Sequence, residues 1–247
     1  MKQLLISTAL LVSGTFCFSS QAGELDPQLQ SKLDQAYFLY DHGHYQESLE
    51  HIQWLFNNGI ATDYDFTPHQ IGIITRWGAM RDLYEPARVS YDSALKDAIT
   101  KLKRAPHNCA AFDDVEVMME NKNALEDFVS VLENDTAEHP EIWQRCWDYS
   151  TSLIAVEQTS KPLIDAYLVD LSDHFKTVFI PVIDGLYSQC YDDYDYRELC
   201  QDSVKEYLTG VSASFRHAAM THYGLNEAGQ IGGLTLQLLL KWQTQDN

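Results

Sequence analysis

The chain has 247 residues, 36 acidic against 17 basic, for a formal net charge of −19. Charge of that sign repels nucleic acid and anionic lipid, which removes both as expected partners. Hydrophobic residues make up 45%, enough to bury a core, so one large domain or two small ones are expected.

Residues 1–22 predict a cleaved signal peptide. Lys2 is their only charge, the apolar run from Leu4 to about Phe18 is too short to span a bilayer, and Ser20-x-Ala22 offers a small-x-small site before Gly23. Lipid attachment at Cys17 is not expected, because bulky Phe16 stands where lipoprotein signals carry a small residue. The expectation is a periplasmic or secreted protein with no membrane insertion after cleavage. Cleavage leaves 36 acidic against 16 basic residues, a net −20, and removes Cys17. The four cysteines that remain suit two disulfides in an oxidising compartment. Three pairings are possible; Cys190–Cys200 closes a short polar loop and is favoured, which leaves Cys109–Cys146.

Helix signals then follow in order. Asp26-Pro27 reads as a cap and first turn, with Leu29, Leu33, Ala36, Tyr37 and Tyr40 on one face and Gly43 as the stop. A second helix is expected from Tyr45 to Asn57, with Leu49, Ile52 and Leu55 inward and Gly59 ending it. Thr67-Pro68 opens a third, carrying Ile71, Ile74 and Trp77. Glu85-Pro86 opens a fourth, carrying Ala87, Tyr91, Ala94, Leu95, Ala98 and Leu102. Past Ala105-Pro106, Val115, Met118, Leu125, Phe128 and Leu132 keep a helical period that polar Asn121-Lys122-Asn123 interrupts as a candidate kink. Pro140 predicts a helix with Trp143, Cys146, Trp147, Leu153 and Ile154. Ser160-x-Pro162 opens a long one with Ile164, Tyr167, Leu168, Leu171, Phe175, Val178, Val182 and Leu186, bent or broken near Ile180 by Pro181. Two last helices carry Val204, Leu208, Val211, Phe215 and Ala218, and, from about Asn226, Ile231, Leu234, Leu238 and Trp242. No strand alternation is present, so the fold class expected is all-α.

Gly43-x-Tyr45-x-Glu47-Ser48-Leu49 aligns with Asp82-x-Tyr84-x-Pro86-Ala87-Arg88 at an offset of 39 residues, Tyr45 to Tyr84. The pattern is similar to the tetratricopeptide repeat over roughly residues 29–102. Its offset is longer than the usual 34, and Asp82 stands in place of the turn glycine. The resemblance implies antiparallel helix pairs in residues 23–104, stacked on a C-terminal helical bundle in 105–247 or continuous with it. It also implies a surface that holds another protein or a peptide, with Asp41, His42, His69, Gln70, Thr75 and Arg76 as exposed lining candidates off the apolar stripes.

Catalytic signatures are missing: no H-E-x-x-H, G-x-S-x-G, phosphate-binding loop or dinucleotide glycine pattern occurs. No catalytic residue, metal ligand or cofactor is therefore assigned. Asp41, His42, His44 and His51 read as polar decoration of a helix turn rather than a metal site, and His217 and His222 point to different sides of a helix. Tyr191, Asp192, Asp193, Tyr194 and Asp195, inside the Cys190–Cys200 loop, form the most binding-like exposed segment, because rigid tyrosines anchor interfaces. The leading expectation is a helical protein- or peptide-binding or scaffold protein. An acidic inhibitor of a basic partner is the alternative, and an enzyme of unknown class the third.

Overall fold

The computed structural model describes residues 25–62, 67–105, 108–191 and 196–245. The expected signal peptide and Asp192, Asp193, Tyr194 and Asp195 lie outside them. Among the described residues the fold is all-α, and packing divides it into two compact units, the first ending at Gln70 and the second starting at Ile71.

The first unit holds α1 (Pro27–Asp41) and α2 (Tyr45–Thr62). Asp26 caps α1, accepting from the Gln28 and Leu29 amides at 2.9 and 3.2 Å. Gly43 reverses the chain at φ +77°, a conformation that costs a side-chain-free residue nothing. Leu29, Leu33 and Ala36 face Leu49, Ile52 and Leu55 across a close helix contact. Small residues allow that approach: Ser48 is fully buried, and its hydroxyl donates to the Ala36 carbonyl at 2.8 Å. The helix does not stop at Asn57; it runs through Gly59 to Thr62, because a mid-helix glycine costs about 1 kcal/mol rather than breaking the element.

Helix α3 (Thr67–Met80) enters the second unit and buries Ile73, Ile74, Trp77 and Met80. Ile71, expected inside, is 53% exposed. In α4 (Glu85–Arg104) the buried stripe is Ala87, Tyr91, Leu95, Ala98 and Leu102. Tyr91 meets Trp77 edge-on at 5.4 Å and donates to the Met118 carbonyl of α5 (Cys109–Asn121) at 3.1 Å. Gly78 has Asn121 so near that a Cβ would stand 2.9 Å from it, so α3 and α5 could not carry a larger residue there. The polar Asn121-Lys122-Asn123 is a full turn rather than a kink. Asn123 takes φ +53°, and α6 (Leu125–Glu138) starts anew.

The helix expected at Pro140 begins later, at Tyr149. Residues 140–146 are turns, closed by bonds such as Ile142 N–H to the His139 carbonyl and Cys146 N–H to that of Trp143. Buried Trp143 and the Cys109–Cys146 disulfide anchor those turns. Asp148 then caps α7 (Tyr149–Glu157) through the Thr151 amide at 2.9 Å.

The long helix is divided. Ser160 caps α8 (Lys161–Leu163), which widens into a π-helical turn, Ile164–Leu168. The chain breaks at Val169, where φ is +64°, and Asp170 caps α9 (Leu171–His174). A second π-helical turn, Phe175–Phe179, leads into α10 (Ile180–Gln189), which carries Pro181 in its first turn. That π turn has a measurable effect on which residues are buried. A 3.6-residue period places Phe175, Val178, Val182 and Leu186 inward, but Phe175, Phe179, Ile183 and Tyr187 are the buried set. One extra residue in the turn advances everything after it by one position, and Val182 is left exposed.

Helices α11 (Arg197–His222) and α12 (Leu225–Gln245) close the bundle around Gly224, at φ +99°. Phe175 and Phe179 pack against Phe215 at 5.1 and 4.7 Å, and Tyr187 stacks on Trp242 at 4.1 Å. Asp184 ties this layer, accepting from the Trp242 indole at 2.8 Å and pairing with Lys241. Cys190–Cys200 links the end of α10 to the first turn of α11. Two disulfides suggest an oxidising extracellular or periplasmic location. Among the described residues no helix is long and apolar enough to cross a membrane.

Candidate binding groove

The last turns of α4 gather cations in an acidic chain. Lys96, Lys101, Lys103 and Arg104 fall within nine residues, where positive charge also complements the helix C-terminus. An open groove of about 370 Å³ lies along this helix. Its α4 wall is Asp92, Leu95, Lys96, Ile99, Thr100 and Lys103; Met119 of α5, Lys122 of the α5–α6 turn and Asp127 of α6 form the other side. Lys122 is held by Asp92 at 3.0 Å. Leu95 and Met119 are buried and, with Ile99, make the apolar part of the lining, while Lys96 and Lys103 are exposed beside them. Such a groove can seat an apolar side chain while a lysine meets a carboxylate. It offers no nucleophile–base pair.

A second constellation lies between α5 and α7. Glu116 is buried, and its carboxylate accepts from the Thr151 hydroxyl at 2.7 Å. Burial pushes its pKa up to about 7; hydrogen bonds from Ser150 and Thr151 pull downward, and Asp148 and Asp113 push further up. Asp113, at the more open edge, is raised to about 6 by burial and by Asp148. Farther along, burial and Glu120 raise Glu157. Helical period explains the alignment, since 113, 116 and 120 share one face of α5. Among the described residues no group of three or more His, Cys, Asp or Glu is placed to hold a metal ion.

The positions singled out from the sequence are placed as follows. Asp41 and His42 are exposed at the end of α1, where the His42 ring lies 4.1 Å from Phe38 and its Nδ1 is 2.8 Å from the Phe38 carbonyl. His69 is half-buried. Gln70 is a correction: it is 4% exposed, and its amide donates to the Phe56 carbonyl at 3.4 Å, so it packs within the fold instead of lining a surface. Thr75 and Arg76 are half-buried in the second unit. Tyr191 is half-buried too, with the Arg197 guanidinium 5.1 Å from its ring and bonded to its carbonyl. His222 sits 2.7 Å from the Thr159 carbonyl, while His217 is exposed.

Neither the lysine-walled groove nor Glu116 is among those positions. The run of cations from Lys96 to Arg104 was the available signal for the groove. For Glu116 there was none, because a glutamate in a helix ordinarily marks the solvent face. No protein family, no curated protein and no solved structure matches the chain.

Proposed function

We propose that the protein is an extracytoplasmic helical module, delivered by the signal peptide at residues 1–22, that binds another protein or a peptide in the α4–α6 groove. The observation that carries this reading is a groove where Leu95, Ile99 and Met119 lie beside Lys96 and Lys103, in a chain of net charge −19. The tetratricopeptide-like pattern at residues 29–102 reaches α4 of this groove but not α5 or α6, so it supports a binding role for stacked helix pairs in general. The fitting ligand is a peptide segment with one apolar side chain next to a carboxylate. Burying the side chain contributes about 1.5–3 kcal/mol, and each exposed lysine–carboxylate pair adds up to about 1 kcal/mol. One such anchor corresponds to a Kd on the order of 0.1–10 mM, so binding through this groove alone is weak and exchangeable.

The test is an NMR titration with peptides ending in a leucine carboxylate and with the same peptides amidated. The free acid is expected to bind about 5-fold tighter at low salt, a preference that fades as salt screens the lysines. Lys96→Glu with Lys103→Glu should abolish that preference. Equal binding of both peptide forms would refute the groove as the site.

A further inference from the structure

The break between the two π-helical turns has no steric need for the residue it carries. Val169 adopts φ +64° and ψ −65°, and the Asp170 amide donates back to the Leu168 carbonyl at 2.8 Å, a γ-turn. A β-branched side chain is costly in that conformation, which belongs to glycine. Leu168 and Leu171 are buried on either side and fix where the chain must reverse. Val169 itself is 78% exposed and packs nothing inward.

This reversal is fastened to the α11–α12 corner at two points. Tyr223 donates to Asp165 at 2.6 Å, and the Ser172 amide donates to Glu227 at 2.7 Å. Leu225 lies between Tyr223 and Glu227, as Val169 lies between Asp165 and Ser172. It too is exposed, at 77%. Two large aliphatic side chains therefore stand outward on paired turns that hydrogen bonds hold in place. The same two turns carry Asp165, Asp170, Asp173 and Glu227; Lys161 pairs with Asp165, Asp170 caps α9 and Glu227 holds the Ser172 amide.

We propose that this corner is a docking surface for a basic protein, which seats an apolar side chain against Val169 and Leu225 while its lysines or arginines meet the acidic side chains of these turns. Charge complementarity selects the partner: the turns are acidic and so is the whole chain. The corner shares no residue with the α4–α6 groove, so neither surface depends on the other.

The probe is a synthetic peptide repeating Leu-Lys-Lys, compared with one repeating Ser-Lys-Lys, titrated into the isotope-labelled protein. The leucine peptide is expected to bind about 10-fold tighter and to shift the amides of residues 168–171 and 223–227. Val169→Gly should weaken it several-fold while raising the melting temperature, and Leu225→Ser should weaken it without lowering that temperature. Equal binding of the two peptides would leave only charge and overturn the proposal. So would shifts confined to other faces, or concentration-dependent self-association that Leu225→Ser abolishes, since a second copy would then be the occupant.

Discussion

Replacing Glu116 with glutamine should stabilise the protein at neutral pH and flatten its pH dependence. A carboxyl held at about 7 in the fold against an ordinary 4.5 costs about 3 kcal/mol when it ionises, at roughly 1.4 kcal/mol per tenfold change. The direction follows from proton binding. Between pH 4.5 and 7 the folded chain holds this proton and the unfolded chain does not, so stability falls as pH rises through that window and is lowest above 7. Asp165, Asp170 and Asp184, lowered in the fold, act only as pH falls below the ordinary aspartate value. His51 and His174 are lowered by burial, so they favour the fold increasingly as pH rises toward 6.5. Their effect opposes that of Glu116, and the comparison of variant with parent removes it. Glutamine keeps an acceptor for the Thr151 hydroxyl and adds no charge. Urea unfolding at pH 5 and pH 8 supplies the measurement. The variant is expected to gain up to about 3 kcal/mol at pH 8, some 6–12 °C for a domain of this size, and little at pH 5. An unchanged difference between the two pH values would refute the buried-carboxyl reasoning.

Breaking the Cys109–Cys146 bond with serines at both positions releases a loop of 37 residues' separation and should cost about 4 kcal/mol by loop entropy, read by denaturant unfolding. The same change at Cys190 and Cys200, separated by 10, should cost about 3 kcal/mol. Ser48→Val inserts bulk where α1 and α2 touch and removes the bond to Ala36; a loss of about 1–3 kcal/mol in thermal unfolding is expected. Val169→Gly should gain about 1 kcal/mol in the same assay, because strain relief exceeds the added chain entropy of glycine.

The sequence was most informative where ordinary local rules held. Capping by Asp26, the stripe of α4 and the face of α12 were all readable, because each follows a 3.6-residue period between a cap and a glycine or proline. Legibility failed where something nonlocal intervened. The turns at 140–146 carry a helical pattern of apolar residues, yet Trp143 and a disulfide to a distant helix hold them otherwise. Val169 gave no sign of a break, since neither glycine nor proline stands there and the reversal is imposed by leucines on both sides. The candidate sites were less legible still. A net charge summed over the chain hides the local excess of cations at the end of α4.

The π-helical turn at Phe175–Phe179 also bears on how this sequence can change length. Removing one residue from an α-helix swings everything beyond it by about 100°, which ordinarily empties a core. Here the wide turn already holds a surplus residue. Deleting exposed Thr177 would let it tighten to α-geometry while Ile183 keeps its inward face and Tyr187 its place on Trp242. A one-residue deletion is thus a nearly silent change at this point and a disruptive one a few turns later in the same bundle.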